Sequence, residues 1–255
     1  MSIVTIFNQK GGVGKTTTAV NLTAALARRA RNPYCIDLDP QAQFSAISGV
    51  RACDGDATVL ALFQRNRPLR ELIVTSNNGG SIIPAHLELS KVDTLFGKGY
   101  NVVNRLNAAL RAEHFIDEPY PVLIDCSPLI GVMALNAIFA CQGVIIPVSA
   151  DHLSARAALQ TEKTLKALEV VLKRRVPRRY LMTRFDSRRR MAWEVQQMLE
   201  EKFGSEVCRT RISENVSLAE SPAHNMTVFQ HAPSSRGAQD YDALLDELLA
   251  DGFIV

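Results

Sequence analysis

Lys10-Gly11-Gly12-Val13-Gly14-Lys15-Thr16-Thr17 decides how this chain is read. The apolar run Ile3-Val4-Thr5-Ile6-Phe7 leads into it, and a helical pattern from Thr16 to Arg29 leaves it. Strand, glycine-rich turn and helix in succession are the setting of a phosphate-binding loop. A triphosphate carries several negative charges and must be met by many donors at close range. Glycines let the backbone curl until successive N–H groups point inward, with no Cβ in the way. The positive end of the following helix dipole adds to this. Gly11, Gly12, Val13, Gly14, Lys15, Thr16 and Thr17 would then hold ATP. Lys15 would set a point charge between the β- and γ-phosphates, and the Thr16 hydroxyl would ligate Mg²⁺. The strict pattern G-x-x-x-x-G-K-[ST] wants glycine at position 9, where this chain has Gln9, and a second lysine, Lys10, opens the loop.

Beyond the loop, strands and helices alternate. Pro33-Tyr34-Cys35-Ile36-Asp37-Leu38 reads as a second strand ending in a carboxylate. Short continuous apolar strands between helices predict an α/β fold, a mostly parallel twisted sheet flanked by helices on both faces. Ligands of such sheets sit at the carboxyl ends of the strands, so the polar residues there carry the chemistry. The first such end is Asp37-Leu38-Asp39-Pro40-Gln41-Ala42-Gln43, where Pro40 stops the strand. Its carboxylates stand ready to position a water or to support Mg²⁺. The second is Pro121-Val122-Leu123-Ile124-Asp125, a Walker B pattern whose Asp125 would hold a water of the Mg²⁺ shell. Ser127-Pro128-Leu129-Ile130-Gly131 follows it as a switch loop would.

The stretch from 44 to 100 says less. The pattern predicts helices over 57–65, 88–96 and 101–113, and strands over 71–74 and 81–84 with a turn between them. A helix over 133–140 and a strand over 144–148 continue the sheet. A long helix is expected from Ser154, as N-cap, to Arg175, ending in the cationic run Lys173, Arg174, Arg175, Arg178, Arg179, which suits a solvated helix C-terminus. A strand begins at Tyr180. Ser187-Arg188-Arg189-Arg190 then precedes the helix that carries Trp193. Three arginines at a helix N-terminus oppose its dipole, which points to an anionic partner, and phosphate backbones suit it. The stretch from Tyr241 to Leu249 is amphipathic and acidic. A membrane-surface helix wants cations, so this one is expected to dock on the protein, and no stable membrane anchor is expected.

Composition narrows the classes. A net charge of +3 cannot by itself argue for nucleic acid, so any such contact needs a local patch. Five cysteines, odd in number and without C-x-x-C spacing, read as reduced thiols and not as a disulfide framework or zinc site. The N-terminal apolar run is too short for a signal peptide, and no stretch has the length of a membrane span.

The loop at 10–17 resembles the deviant Walker A of the ParA/MinD family of P-loop ATPases. The segment 37–43 is similar to that family's D-x-D-P-Q switch, and Leu218-Ala219-Glu220-Ser221-Pro222-Ala223-His224 and Ser235-Arg236-Gly237-Ala238-Gln239 are similar to its partition branch. The resemblance implies one ATPase domain over 1–255, without an added N-terminal DNA-binding domain. It implies a slow, partner-stimulated ATP hydrolase using Lys10, Lys15 and Asp39, with Asp39 orienting the water and joining Thr16 and Asp125 around Mg²⁺. It further implies that Lys10 crosses to a second copy in an ATP-bound homodimer. That dimer would hold non-specific DNA through Arg188, Arg189 and Arg190, would be reset by a ParB-like protein, and would be cytoplasmic and nucleoid-associated. Two departures stand out. Leu129 replaces a proline of the family's D-x-P-P, and Glu214 and Ser217 replace both arginines of P-R-N-V-R-L. Either the DNA surface leans on Arg188 to Arg190 and the nearby Arg209 and Arg211, or DNA is not the matrix, so a positioning ATPase on a membrane or protein scaffold, as in MinD, stays open. So does a metal or electron-transfer ATPase like the nitrogenase-reductase relatives, for which Cys126 and Cys141 would have to bridge a dimer.

Overall fold

A computed structural model of the chain describes residues 2–51, 54–97 and 99–255; Cys53 lies outside them. Strands β1 (Ile3–Ile6), β2 (Tyr34–Leu38), β3 (Val74–Thr75), β4 (Ser81–Ile83), β5 (Val122–Cys126), β6 (Gly143–Ser149) and β7 (Arg178–Thr183) form one sheet in the order β3-β4-β2-β5-β1-β6-β7. Every pairing is parallel except β3 with β4 at one edge. The helices are α1 (Lys15–Arg28), α2 (Gln43–Ile47), α3 (Leu60–Arg65), α4 (Val92–Phe96), α5 (Tyr100–Val103), α6 (Arg105–Ala112), α7 (Val132–Ala140), α8 (His152–Leu172), α9 (Arg190–Phe203), α10 (Val216–Glu220), α11 (Val228–His231) and α12 (Arg236–Ala250).

Alternation along β1 sorts its residues to two faces. Val4 and Ile6 join the apolar cluster of α1 and α12, through Leu22, Leu26, Leu244 and Leu248. Ile3 joins the opposite cluster with α7, α8 and α9. Both faces are covered, which is why β1, β5 and β6 read as unbroken apolar runs. The acidic amphipathic stretch is α12, docked as expected, with Leu244, Leu245 and Leu248 buried.

Four sequence expectations need correction, each for a local reason. The strand expected over 71–74 starts only at Val74, because residues 69–72 make a 3₁₀ turn whose Leu69 and Arg70 N–H groups donate to the Glu113 carboxylate at 2.7 and 2.8 Å. The expected helix over 101–113 breaks at Asn104: the Asn136 carboxamide accepts from Leu106 N–H at 2.9 Å and donates to Val102 O at 2.9 Å. The cap of α8 is Asp151 and not Ser154; its carboxylate accepts the Ser154 N–H at 2.9 Å. Arg178 is no part of a solvated helix end. It begins β7, is 1% exposed, and is held by Glu162 at 2.5 Å and by Glu169, both on α8.

Candidate nucleotide site

The loop between β1 and α1 curls as a phosphate cradle must. Gly12 and Gly14 take φ of +74° and +90°, the left-handed region that a side chain disfavours. Gly14 caps α1 with no side-chain acceptor over the first N–H groups, which leaves them to an anion. The loop is anchored from several sides. Asn8 donates to Pro147 O on β6 at 2.7 Å, and its own oxygen accepts the Lys10 N–H at 3.0 Å. Thr183, at the end of β7, donates to Val13 O at 2.9 Å, and Thr161 on α8 accepts the Gln9 N–H at 3.3 Å. Beneath the loop, the Thr18 hydroxyl meets the Tyr241 hydroxyl of α12 at 3.2 Å.

The two lysines behave differently. Lys15 is 7% exposed and folds over the loop, its ammonium donating to Lys10 O at 2.9 Å. Burial lowers its pKa, while Cys126, Asp125 and Asp39 pull the other way. Lys10 turns outward along the surface of its own chain. Its Nζ donates to Asp151 Oδ1 at 2.8 Å and to Ser154 Oγ at 2.7 Å. Against the cost of burial, the hydrogen bonds from Lys10 and Ser154 hold the Asp151 carboxyl below its ordinary range.

Asp37 and Asp125 are paired across β2 and β5, and both are fully buried. Asp37 is saturated. It accepts from Ser45 N–H and Oγ at 2.9 and 2.7 Å and from Asp39 N–H at 3.0 Å. Its task is to hold the switch segment in place. Asp39 is half-buried and accepts the Gln41 N–H at 2.9 Å. Asp125 is the opposite case: neither of its oxygens has a hydrogen-bond partner. Burial and the neighbouring Asp37 push it well above the usual carboxylate range; the Thr16 hydroxyl is near enough to ease this without completing a bond. An orphaned buried carboxylate beside a threonine hydroxyl fits Mg²⁺ or its water. No three His, Cys, Asp or Glu gather at metal-holding distance among the described residues. Mg²⁺ takes one or two protein oxygens, with phosphates and waters completing its shell.

A cavity of about 380 Å³ opens beside Gly14 and Thr17, walled by Thr183, Arg184, Asn215 and Pro222. It continues from the cradle and has the size for a nucleoside. Arg188, Arg189 and Arg190 stand outside it at the start of α9, exposed at their side chains by 88%, 60% and 92%. Each is engaged by carboxylates: Arg188 and Arg189 by Asp186 at 2.9 and 3.3 Å, Arg189 also by Glu214 at 3.1 Å, and Arg190 by Glu194 at 2.8 Å. Cys126 and Cys141 lie fully inside the protomer, and burial raises both thiols, Cys141 to about 11. Neither is placed to bridge two copies.

The structure thus brings Lys10, Lys15, Thr16, Asp39 and Asp125 to one end of the sheet. The arginines lie on a neighbouring surface. Asn8, Asp151, Ser154 and Thr161 were not legible as parts of the site. Asp151 alone had a usable signal, an acidic residue three positions before a serine at a helix start.

A nucleotide cradle at the carboxyl ends of a mostly parallel sheet, with a second lysine at its mouth, defines a deviant P-loop ATPase. Comparison with known proteins gives the family. The AAA domain model matches residues 1–177. The chromosome-partitioning ATPase Soj of Thermus thermophilus is 37% identical over 249 residues, covering 97% of this chain and 95% of that protein. The sporulation initiation inhibitor protein Soj of Bacillus subtilis is 31% identical over 253 residues, covering 98% and 99%. Cobyrinic acid a,c-diamide synthase of Mycobacterium smegmatis, solved with an ATP analogue and magnesium, superposes with a TM-score of 0.86 at 25% identity, over 99% of this chain and 95% of that one. The chain belongs to the Soj/ParA-like partition ATPases of the ParA/MinD family.

Proposed function

We propose that this protein is a nucleotide-switched partition ATPase whose ATP-bound homodimer holds non-specific DNA and is reset when a ParB-like partner stimulates hydrolysis. One observation carries the reading. Thr183 bonds the phosphate loop, Arg184 walls the adjoining cavity, and Arg188 to Arg190 follow within the same short segment. Nucleotide and basic surface therefore share one stretch of backbone.

The residues divide the work. The N–H groups from Gly11 to Thr17 and the Lys15 ammonium receive the phosphates. Asp39, at the mouth of the cradle, orients the attacking water and takes up its proton. Lys10 leaves Asp151 and reaches the nucleotide of a second copy. Thr16, Asp39 and Asp125 would hold Mg²⁺ or its waters, and the ion would neutralise charge on the phosphate oxygens. Among the described residues no helix is long and apolar enough to cross a membrane.

The test is binding to random-sequence duplex DNA without nucleotide, with ADP, and with a slowly hydrolysed ATP analogue plus Mg²⁺. Binding in the ATP-analogue state alone is expected. Its affinity should fall with salt by a slope of about −0.9 per phosphate contacted, and charge reversal at Arg188–Arg190 should lessen that slope. No binding in any state would overturn DNA as the matrix and turn the search to a protein scaffold or membrane.

A further inference from the structure

Beside the arginine cluster lies a cleft of about 500 Å³ between the exit of β7, the start of α9 and the flank of α12. Its floor is aromatic. Trp193 meets Phe185 edge-on with centroids 5.1 Å apart, and the indole N–H donates to Ser187 O at 2.9 Å, which fixes the ring. The Arg211 guanidinium lies over both rings, 5.0 Å from each centroid. Arg211 has no carboxylate partner among the described residues, and its Nε is buried without any hydrogen-bond partner. Arg209 and Arg236 line the same cleft, and Asp240 is its one lining carboxylate. Asp240 is already engaged, accepting the Ser213 N–H at 2.8 Å and pairing with Arg236 at 2.8 Å.

The contrast with Arg188, Arg189 and Arg190 decides the matter. Those three look like the anion site in the sequence, yet each spends its charge on Asp186, Glu214 or Glu194. Arg211 is the cation whose donors are left over, and two aromatic faces hold it in place. A guanidinium so pre-organised presents a planar fork that matches phosphate oxygens. The half-exposed Trp193 ring beside it offers an apolar face to a sugar.

We propose that this cleft seats a phosphodiester of the DNA backbone, with Arg211 as its anchoring donor and Trp193 as the platform below. It would take over from the family arginines that Glu214 and Ser217 replace. The inference rests on the DNA reading above. Charge selects the occupant: Arg209, Arg211 and Arg236 line the open cleft against the single carboxylate of Asp240, and since Arg236 pairs with Asp240 and Arg209 with Glu247 and Asp251 at 3.7 and 3.5 Å, Arg211 is the lining cation left without a carboxylate partner among the described residues. A backbone phosphate also suits sequence-neutral binding.

Trp193 is the only tryptophan in the sequence, so its emission reports this cleft alone. The experiment adds random-sequence duplex DNA to the protein already held in the ATP-analogue state. It follows tryptophan emission together with the anisotropy of a dye on the DNA. Both signals should change with the same midpoint. Arg211→Gln should weaken binding about tenfold and reduce the salt slope by about 0.9. Arg211→Lys should keep the slope and lose only part of the affinity, and it stands in should the glutamine variant fail to fold. Anisotropy that rises with unchanged emission, and an unchanged slope in Arg211→Gln, would overturn the cleft and leave the DNA reading standing. Inorganic phosphate alone producing the full emission change, with no competition from DNA, would make this a small-anion site and overturn the proposal. DNA binding absent in every nucleotide state would overturn both.

Discussion

Asp37 and Asp125 are neighbours across two strands, and the fold keeps them buried together. Burial pushes Asp37 from its ordinary 3.8 up to about 6. Between those two values the folded protein keeps a proton that the unfolded chain has released. The group therefore favours folding fully below about pH 4, and that contribution is lost as the pH rises towards 6. Asp125, shifted the same way, extends the effect. In the nucleotide-free protein, the melting-temperature advantage of wild type over Asp37→Asn should shrink as the pH goes from about 4 to about 6; a constant difference would show that Asp37 does not titrate in that window. Asp39 has a different task. Asp39→Ala should bind ATP normally and turn it over about 10²-fold more slowly, the scale of a lost general base. Normal turnover in that variant would move the water-orienting role elsewhere. Single residues of the site were legible where spacing is itself the chemistry, as from Lys10 to Thr17 and at the strand ends Asp39 and Asp125. Asn8 was not, because its partner Pro147 lies 139 positions away.

At the scale of elements, β7 and α8 show how a pattern misleads. Five cations around a proline read as a solvated helix end. Arg178 is in fact claimed by Glu162 and Glu169, two turns apart on α8, and Tyr180 adds its hydroxyl to Glu162 at 2.6 Å. Removing the cation would leave two nearly buried carboxylates without a partner. Arg178→Ala should therefore cost about 3–5 kcal/mol, read as a lower urea midpoint at unchanged slope; a midpoint equal to wild type would mean that water replaces the guanidinium freely. The stretch from 44 to 100 was the least legible for a related reason. Its helices and turns are short, and a side chain from elsewhere sets a limit there, where Glu113 starts the turn at 69–72; just beyond the stretch, Asn136 breaks the helix expected over 101–113 in the same way. The long strands and α1 needed no such help, since their apolar period is set by burial on the sheet.

For the whole molecule the decisive contact is Lys10 with Asp151. This lysine is bound within its own chain, so the proposed association must first release it. An ion pair about one-third exposed on each side is worth up to about 1 kcal/mol. Lys10→Ala should abolish ATP-dependent dimerisation in light scattering. Asp151→Asn keeps a good helix cap and should tighten the dimer by up to about fivefold. An unchanged dimer in the alanine variant would remove the cross-dimer role.

The placement of α12 has a consequence in time. Its Tyr241 braces the helix behind the phosphate loop, and its leucines close the sheet face that Val4 and Ile6 open. Tyr241 lies 223 positions after Thr18. At about 5–20 residues per second, a ribosome needs roughly 10 to 45 seconds to travel between them. Throughout that interval the face of β1 that α1 covers lacks the leucines of α12, a target for other nascent chains. Translation thus completes the ATP loop well before the helix that braces α1 behind it.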